Sequence, residues 1–235
     1  MIDVIEAIHG RQSVRAFDRD QPVTRAQIER ILEAGARAPN GSNLQPWHVY
    51  VLMGDARDTF ADDITDAYMS DAEDARDYAY YMSEWRDPYL TRRRQTGWGL
   101  YQTVGIQKGD FEATKAQQGR NYRFFDAPVG LMITMDADMG QGAWLDMGAF
   151  IQTILLAARG EGLEACPQAA FCNYPNRIRA LLGIAPTETL VTGLAIGYPD
   201  RKAVVNTFRT PRRPVSEFAT FLDTLAPQAT VVAAE

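Results

Sequence analysis

Apolar residues in this chain recur with helical spacing in some stretches and run almost unbroken in others, and the alternation lays out the elements. Val4, Ile5 and Ile8 are spaced as the inward face of a short N-terminal helix. Thr24 and Gln27 form a capping-box pair, after which Ile28, Ile31, Leu32 and Ala36 line one side of a helix predicted to run to about residue 37. Residues 47–53 read as a strand. Residues 55–85 are charged and helix-prone, with Tyr78, Tyr80 and Tyr81 near the predicted end. Residues 86–120 mix their signals and give no assignable element. Residues 129–135 read as a buried strand. In 144–159 the apolar positions, among them Phe150, Ile151, Ile154, Leu155 and Leu156, occupy most sides of a helix, which predicts burial all round. A helix over 175–182, a β-rich strand over 190–196 and a last helix over 214–225 complete the pattern, followed by a frayed tail.

Few strands separated by helices predict a mixed α/β or α+β class. No internal repeat, low-complexity tract or Pro/Gly/Ser linker divides the chain, so residues 1–235 are expected to form one domain with an excursion at about 66–120. Apolar residues make up 46% and charged residues 23%, ordinary values for a soluble globular protein able to bury a sizeable core. A net charge of −6 with no basic stripe argues against a nucleic-acid partner. The longest apolar-leaning run, 147–158, is too short to cross a bilayer, and the first residues lack the basic start of a signal peptide. Cys166 and Cys172 have neither a redox nor a metal-binding spacing, and both are expected to stay reduced in the cytoplasm.

Against this acidic background, four local patterns stand out. Residues 38–51, Ala-Pro-Asn-Gly-Ser-Asn-Leu-Gln-Pro-Trp-His-Val-Tyr-Val, join a helix end to a strand. Gly41 is free to take positive φ, Pro39 and Pro46 stiffen both ends, and Ser42, Asn43 and Gln45 offer polar groups along one short arc. Such a loop either satisfies its own backbone or wraps a flat or phosphorylated small molecule. Arg11, Ser13 and Arg15 alternate, so an extended segment points all three to one side, where they match a phosphate or a polar ring edge. Arg209, Arg212 and Arg213 stand in a Pro-restrained segment near the other end. The fourth pattern, Gly160-Glu-Gly-Leu-Glu-Ala165, matches a dinucleotide fingerprint by letter only. It follows a helix and precedes Cys166-Pro167, so Gly160 and Gly162 read as a helix stop. His9 and His48 are the only histidines, no metal-ligand spacing occurs, and His48 reads as a strand residue bonded locally rather than as a general base. A chain so poor in acid–base and nucleophilic machinery is suited to borrowing reactivity from a cofactor.

The pattern Arg11-x-Ser13-x-Arg15-x-Phe17, the loop Ala38-Pro-x-Gly-x-Asn-x-Gln-Pro-Trp47, the run Gly193-Leu-Ala-Ile-Gly197-Tyr-Pro and the Arg209–Arg212 tail resemble, in order and spacing, the nitroreductase family of flavin enzymes. The resemblance spans roughly residues 2–222, and residues 89–101 and 121–128 look like its nitrobenzoate-reductase subgroup. It implies an α+β fold with a central, mainly antiparallel sheet flanked by helices, in an intertwined homodimer. It also implies FMN bound across the dimer interface, with NADH or NADPH as co-substrate. Carried over, Arg11, Gln12 and Ser13 contact the phosphate or ribityl chain, Arg15 lies near the pyrimidine edge, and Arg209 and Arg212 complete the phosphate site. Pro39, Asn40, Gly41, Ser42 and Asn43 pack along the flavin from the partner chain, and Pro167, Gln168, Ala169 and Ala170 lie over the ring near N5. Some family members carry an acidic residue and a glycine in this last segment. One of Arg120, Asn121 and Arg123 reaches the ring's polar edge. Flavin N5, rather than a protein side chain, carries the catalysis. The implied activity is ping-pong hydride transfer from NAD(P)H to small nitroaromatic or quinone-like acceptors. The same scaffold also admits reductive dehalogenation, flavin breakdown, a biosynthetic dehydrogenation or FMN binding without turnover. The insert residues Tyr89, Arg92, Arg93, Trp98 and Tyr101 are expected to cap the flavin face, the aromatics stacking acceptors and the arginines favouring carboxylated ones.

Overall fold

Strand residues 129–136 are almost wholly buried, and the chain is arranged around them on both sides. The computed structural model describes residues 2–224. Its elements are α1 (Val4–Gly10), α2 (Arg25–Gly35), β1 (His48–Met53), α3 (Gly54–Met69), α4 (Tyr89–Thr103), α5 (Phe111–Gly119), β2 (Val129–Asp136), α6 (Gln141–Gly160), β3 (Glu164–Gln168), α7 (Pro175–Leu182) and β4 (Glu188–Gly197). The four strands form one antiparallel sheet in the order β1-β2-β4-β3. Leu131 stands opposite Val51 and Leu194, and Cys166 opposite Ala195. The α+β expectation holds.

The sheet separates two cores. On one face Leu131, Ile133 and Leu194 meet Ile28 and Ile31 of α2 and Phe150 and Ile154 of α6. On the other, Met132 and Ala195 meet Phe60 and Ile64 of α3 with Phe124, Phe171 and Tyr122. Burial on both faces is why β2 reads as a nearly continuous apolar run, broken by the buried Thr134. Aromatic rings approach the second face closely at its glycines: a Cβ at Gly130 would strike the Phe124 ring, and one at Gly193 would strike Phe171 and Met132. Thr24 caps α2 through the reciprocal bonds with Gln27 that the sequence predicts.

Several expectations are corrected. The charged helix after β1 stops at Met69 rather than near residue 85, and Tyr78, Tyr80 and Tyr81 lie in irregular chain. Asp74 and Asp77 hold that chain against α7 and β4, which draws it out of helix. Residues 89–119, unassigned from the sequence, form α4 and α5; α4 buries no residue fully, so it carries little periodic signal. β3 was unforeseen, because its short, Pro-containing sequence becomes a strand through pairing with β4. Val4, Ile5 and Ile8 are exposed, and Ala7 is the buried residue of α1. α6 buries one side only within this chain; Leu145 is 79% exposed. The final helix reduces to a single 3₁₀ turn, Val215–Glu217, and Leu225 with the frayed tail lies outside the described residues.

Candidate active site

Arg11, Gln12, Ser13 and Arg15 converge with Arg209 and Arg212 on one cavity of about 500 Å³. Local structure explains the convergence. Ser13 forms a parallel bridge with Ala165 of β3, which holds the N-terminal segment extended. The Arg15 N–H donates to Asn206 Oδ1 at 2.8 Å, and Asn206 Nδ2 donates to the Ala16 and Asp200 carbonyls at 2.8 and 2.9 Å. Asn206 therefore staples the segment at 200–206 to the extended segment at 15–16 and brings Arg209 and Arg212 to the cavity of Arg11. Sequence reading gave Asn206 no role; its position ahead of the arginine tail was the only signal.

None of Arg11, Arg15, Arg209 and Arg212 forms an ion pair among the described residues. Burial, then the charge of Arg212, pushes the Arg11 guanidinium below its ordinary value. The carboxylate in the vicinity, Glu164, is committed to Arg159, and burial holds its own carboxyl above the usual range. Gln12 adds a buried side-chain oxygen that receives no donor. A set of like charges with no counter-anion is a site prepared for one.

A second cavity, about 640 Å³, is floored by Pro167, Gln168, Ala169 and Ala170 and walled by Arg76, Tyr78, Tyr80, Tyr81 and Arg93, with Asn121 at its edge. Gln168 is buried; its Nε2 donates to the Asn121 carbonyl at 2.6 Å, while its Oε1 lacks a donor. The Tyr78 hydroxyl donates to the Val191 carbonyl at 2.7 Å, and burial raises its phenol far above the ordinary value. Burial likewise pushes the Tyr122 phenol, which supports Ala170 from below, up to about 12. Of the three candidates at 120–123, Arg120 pairs with Asp126 and Arg123 with Asp62, each at 2.9 Å, which leaves Asn121 on the cavity. Phe124, Phe125 and Asp126 follow with positive φ, a left-handed turn that the sequence did not announce.

The loop carrying Pro39, Asn40, Gly41, Ser42 and Asn43 lines neither cavity of its own chain. Its Gly41 N–H donates to both carboxylate oxygens of Asp146 on α6 at 3.2 Å. Positive φ falls on Ser42, Asn43 and Gln45 rather than on Gly41; Asn accepts the left-handed region readily, so the strain sits on Ser42 and Gln45. Among the insert residues, Arg93 lines the second cavity, whereas Arg92 faces a groove beside residues 208–214. Trp98 borders a shallow surface depression, Tyr101 accepts from Gln118 Nε2 at 2.8 Å, and Tyr89 lies under Arg86. A wider depression of about 830 Å³ beside Tyr198 contains none of the expected site residues. His48 approaches Asp136 across the strands at 3.4 Å, the local contact expected of it. Among the described residues, no group of three or more His, Cys, Asp or Glu could hold a metal, and no helix is long and apolar enough to cross a membrane.

The antiparallel sheet carries a basic pocket suited to an anionic group and a second cavity lined by no acid, an α+β architecture fitted to holding an anionic small molecule. Residues 8–198 match the family model described as the nitroreductase family, and the chain belongs to that family. It is 39% identical over 225 residues to 4-nitrobenzoate reductase of Nocardioides sp. (strain LMS-CY), covering 94% of this chain and 91% of that one. It is 34% identical over 222 residues to 4-nitrobenzoate reductase of Pseudomonas putida, covering 94% and 96%. The crystal structure of FMN and NADPH-dependent nitroreductase NfnB from sphigopyxis sp. strain HMH superposes with a TM-score of 0.90 at 36% identity, covering 95% of this chain and 100% of that one. FMN-dependent nitroreductase NfnB from Mycobacterium smegmatis, solved in complex with NADPH, gives 0.87 at 32% identity, covering 94% and 100%.

Proposed function

We propose that the protein is an FMN-dependent NAD(P)H nitroreductase acting as a cytoplasmic homodimer on small nitroaromatic or quinone-like acceptors. The observation that carries this reading is the meeting of Arg11, Ser13, Arg15, Arg209 and Arg212 around one cavity with no carboxylate to neutralise them. The FMN phosphate suits that set, because guanidiniums and a hydroxyl together satisfy its several oxygens. Arg11, Gln12, Ser13, Arg209 and Arg212 hold the phosphate and ribityl chain. Arg15 lies toward the pyrimidine edge, where a fixed cation stabilises negative charge on the reduced ring. When bound, FMN would supply two-electron redox chemistry between a nicotinamide donor and the acceptor, while the residues named here hold and orient it. Residues 167–170 back the reacting face, and Asn121, held to Gln168, orients the ring's polar edge. One cavity above residues 167–170 takes nicotinamide and acceptor in turn, which is a ping-pong order.

The dimer completes the site. The 39–43 loop, anchored to α6 and outside the lining of its own arginine pocket, packs along the flavin of the partner. Exposed Val4, Ile5 and Leu145 supply apolar surface for that association. Residues 2–224 act as one domain, with the 66–120 segment covering the cavity. The test is anaerobic titration of the purified, FMN-loaded protein with NADPH and with NADH, followed by addition of a nitroaromatic. Bleaching of the flavin and its recovery on adding the acceptor are expected. Flavin that stays oxidised under excess of both nucleotides would make the protein an FMN carrier instead.

A further inference from the structure

The second cavity contains two arginines and no aspartate or glutamate among its lining residues. Arg76 reaches it from irregular chain that is pinned on both sides. Asp74 accepts from the N–H groups of Asn176 and Arg177 at 3.0 and 3.1 Å, which seals the start of α7. Asp77 accepts from the Leu190 N–H at 2.8 Å and pairs with Arg179 at 2.5 Å. The backbone of Arg76 is thus fixed while its side chain is free. Arg93 arrives from α4 with its guanidinium 4.5 Å from the Trp85 ring and 5.9 Å from that of Tyr81. Stacking on aromatic faces sets the plane of a guanidinium and leaves its N–H edge available for bidentate pairing. Neither arginine forms an ion pair among the described residues. Arg92 and Arg94, its neighbours on α4, face other surfaces, as the turn of about 100° per helical residue requires.

We infer that Arg76 and Arg93 form the carboxylate-binding subsite of this cavity, so that the acceptors it selects are aromatic monocarboxylates. The inference rests on the flavin reading for the position of the reacting face. Tyr80 and Tyr81 supply the wall against which a planar ring lies, and the arginine pair holds its carboxylate. The paired anchor is Arg76 with Arg93, not Arg92 with Arg93 as the sequence alone suggests.

The test uses Arg76→Met, Arg93→Met and Arg93→Lys in the FMN-loaded protein, with 4-nitrobenzoate and nitrobenzene as acceptors. Each Met variant is expected to raise KM for 4-nitrobenzoate roughly tenfold or more, the loss of a charge-assisted contact. KM for nitrobenzene should change far less than KM for 4-nitrobenzoate, so the ratio of the two KM values is the readout. Arg93→Lys should fall between, since it keeps the charge and loses the fork. Equal changes for both acceptors, or none for either, would overturn the inference. A rise in KM confined to NADPH would also overturn it, since the arginines would then serve the dinucleotide phosphates. Calorimetric binding of benzoate provides a readout independent of turnover. Benzoate binding lost in the Met variants of a protein that reduces nothing would remove the activity reading and keep this subsite. Normal nitrobenzene turnover with benzoate binding unaffected would do the reverse.

Discussion

Arg11→Met separates a ligand-binding arginine from a structural one. In the flavin-free chain this guanidinium is partly desolvated, repelled by Arg212 and without an ion-pair partner, so its removal relieves repulsion. The flavin-free variant should therefore melt close to the wild type, within the roughly ±0.5 kcal/mol of an ordinary surface change. With FMN bound the balance reverses. Losing charge-assisted phosphate contacts should cost about 1.5–3 kcal/mol, which raises the Kd for FMN roughly ten- to 150-fold. Stabilisation by excess ligand varies with the logarithm of Kd, so it should fall by the same free energy. For a chain of this size that is a loss of roughly 3–12 °C from the FMN-induced rise in Tm. Flavin-fluorescence titration gives the Kd, and paired melts with and without saturating FMN give the shift. An unchanged Kd would refute the assignment. A flavin-free melt that drops as far as the loaded one would show that Arg11 holds the fold rather than the phosphate.

Arg159→Met leaves Glu164 buried without its ion-pair partner and should destabilise the protein by about 3–5 kcal/mol near neutral pH. Burial already holds the Glu164 carboxyl above its usual value, and losing Arg159 raises it further. A raised folded-state value means that stability is retained below the unfolded value of 4.5 and is lost as pH rises through the folded one. Urea melts should show a wider gap from wild type at neutral pH than in mild acid, and a gap independent of pH would count against the argument. Gly193→Val drives a side chain into Phe171 and Met132 and should lower stability by about 1–3 kcal/mol or more in chemical denaturation; wild-type stability would mean that the ring does not lie on the sheet. Leu145→Glu places a charge on the exposed side of α6 and should shift the protein toward monomer in sedimentation at low concentration, with weaker FMN retention. A variant as dimeric as the wild type would move the interface elsewhere.

What the sequence determined by itself is local. The Thr24–Gln27 box marks the start of α2, Pro175 opens α7, and the apolar-rich runs identify β2 and β4, because caps and continuous burial leave residue-level signals. Glycine spacing likewise shows where α6 stops, at Gly160, with Gly162 taking positive φ. The alternation at 11–15 also brings Arg11, Ser13 and Arg15 to one cavity, since extended chain has a period of two. Tertiary structure decided the rest. β3 exists because Cys166 and its neighbours find β4, and the long helix ends at Met69 because Asp74 and Asp77 bind distant backbone. Neither partner lies within reach of a local pattern. The helices α4 and α5 escaped notice since they lie on the surface, where no buried stripe imposes a period. The meeting of Arg11 with Arg209 and Arg212 depends on Asn206, a contact across 191 residues. Arg76, in a stretch that reads as solvated helix, enters the site only because its flanking aspartates bind α7 and β4. Periodicity encodes which side of an element is apolar, while the choice of partner for that side, and of the polar groups gathered at its ends, belongs to the folded chain.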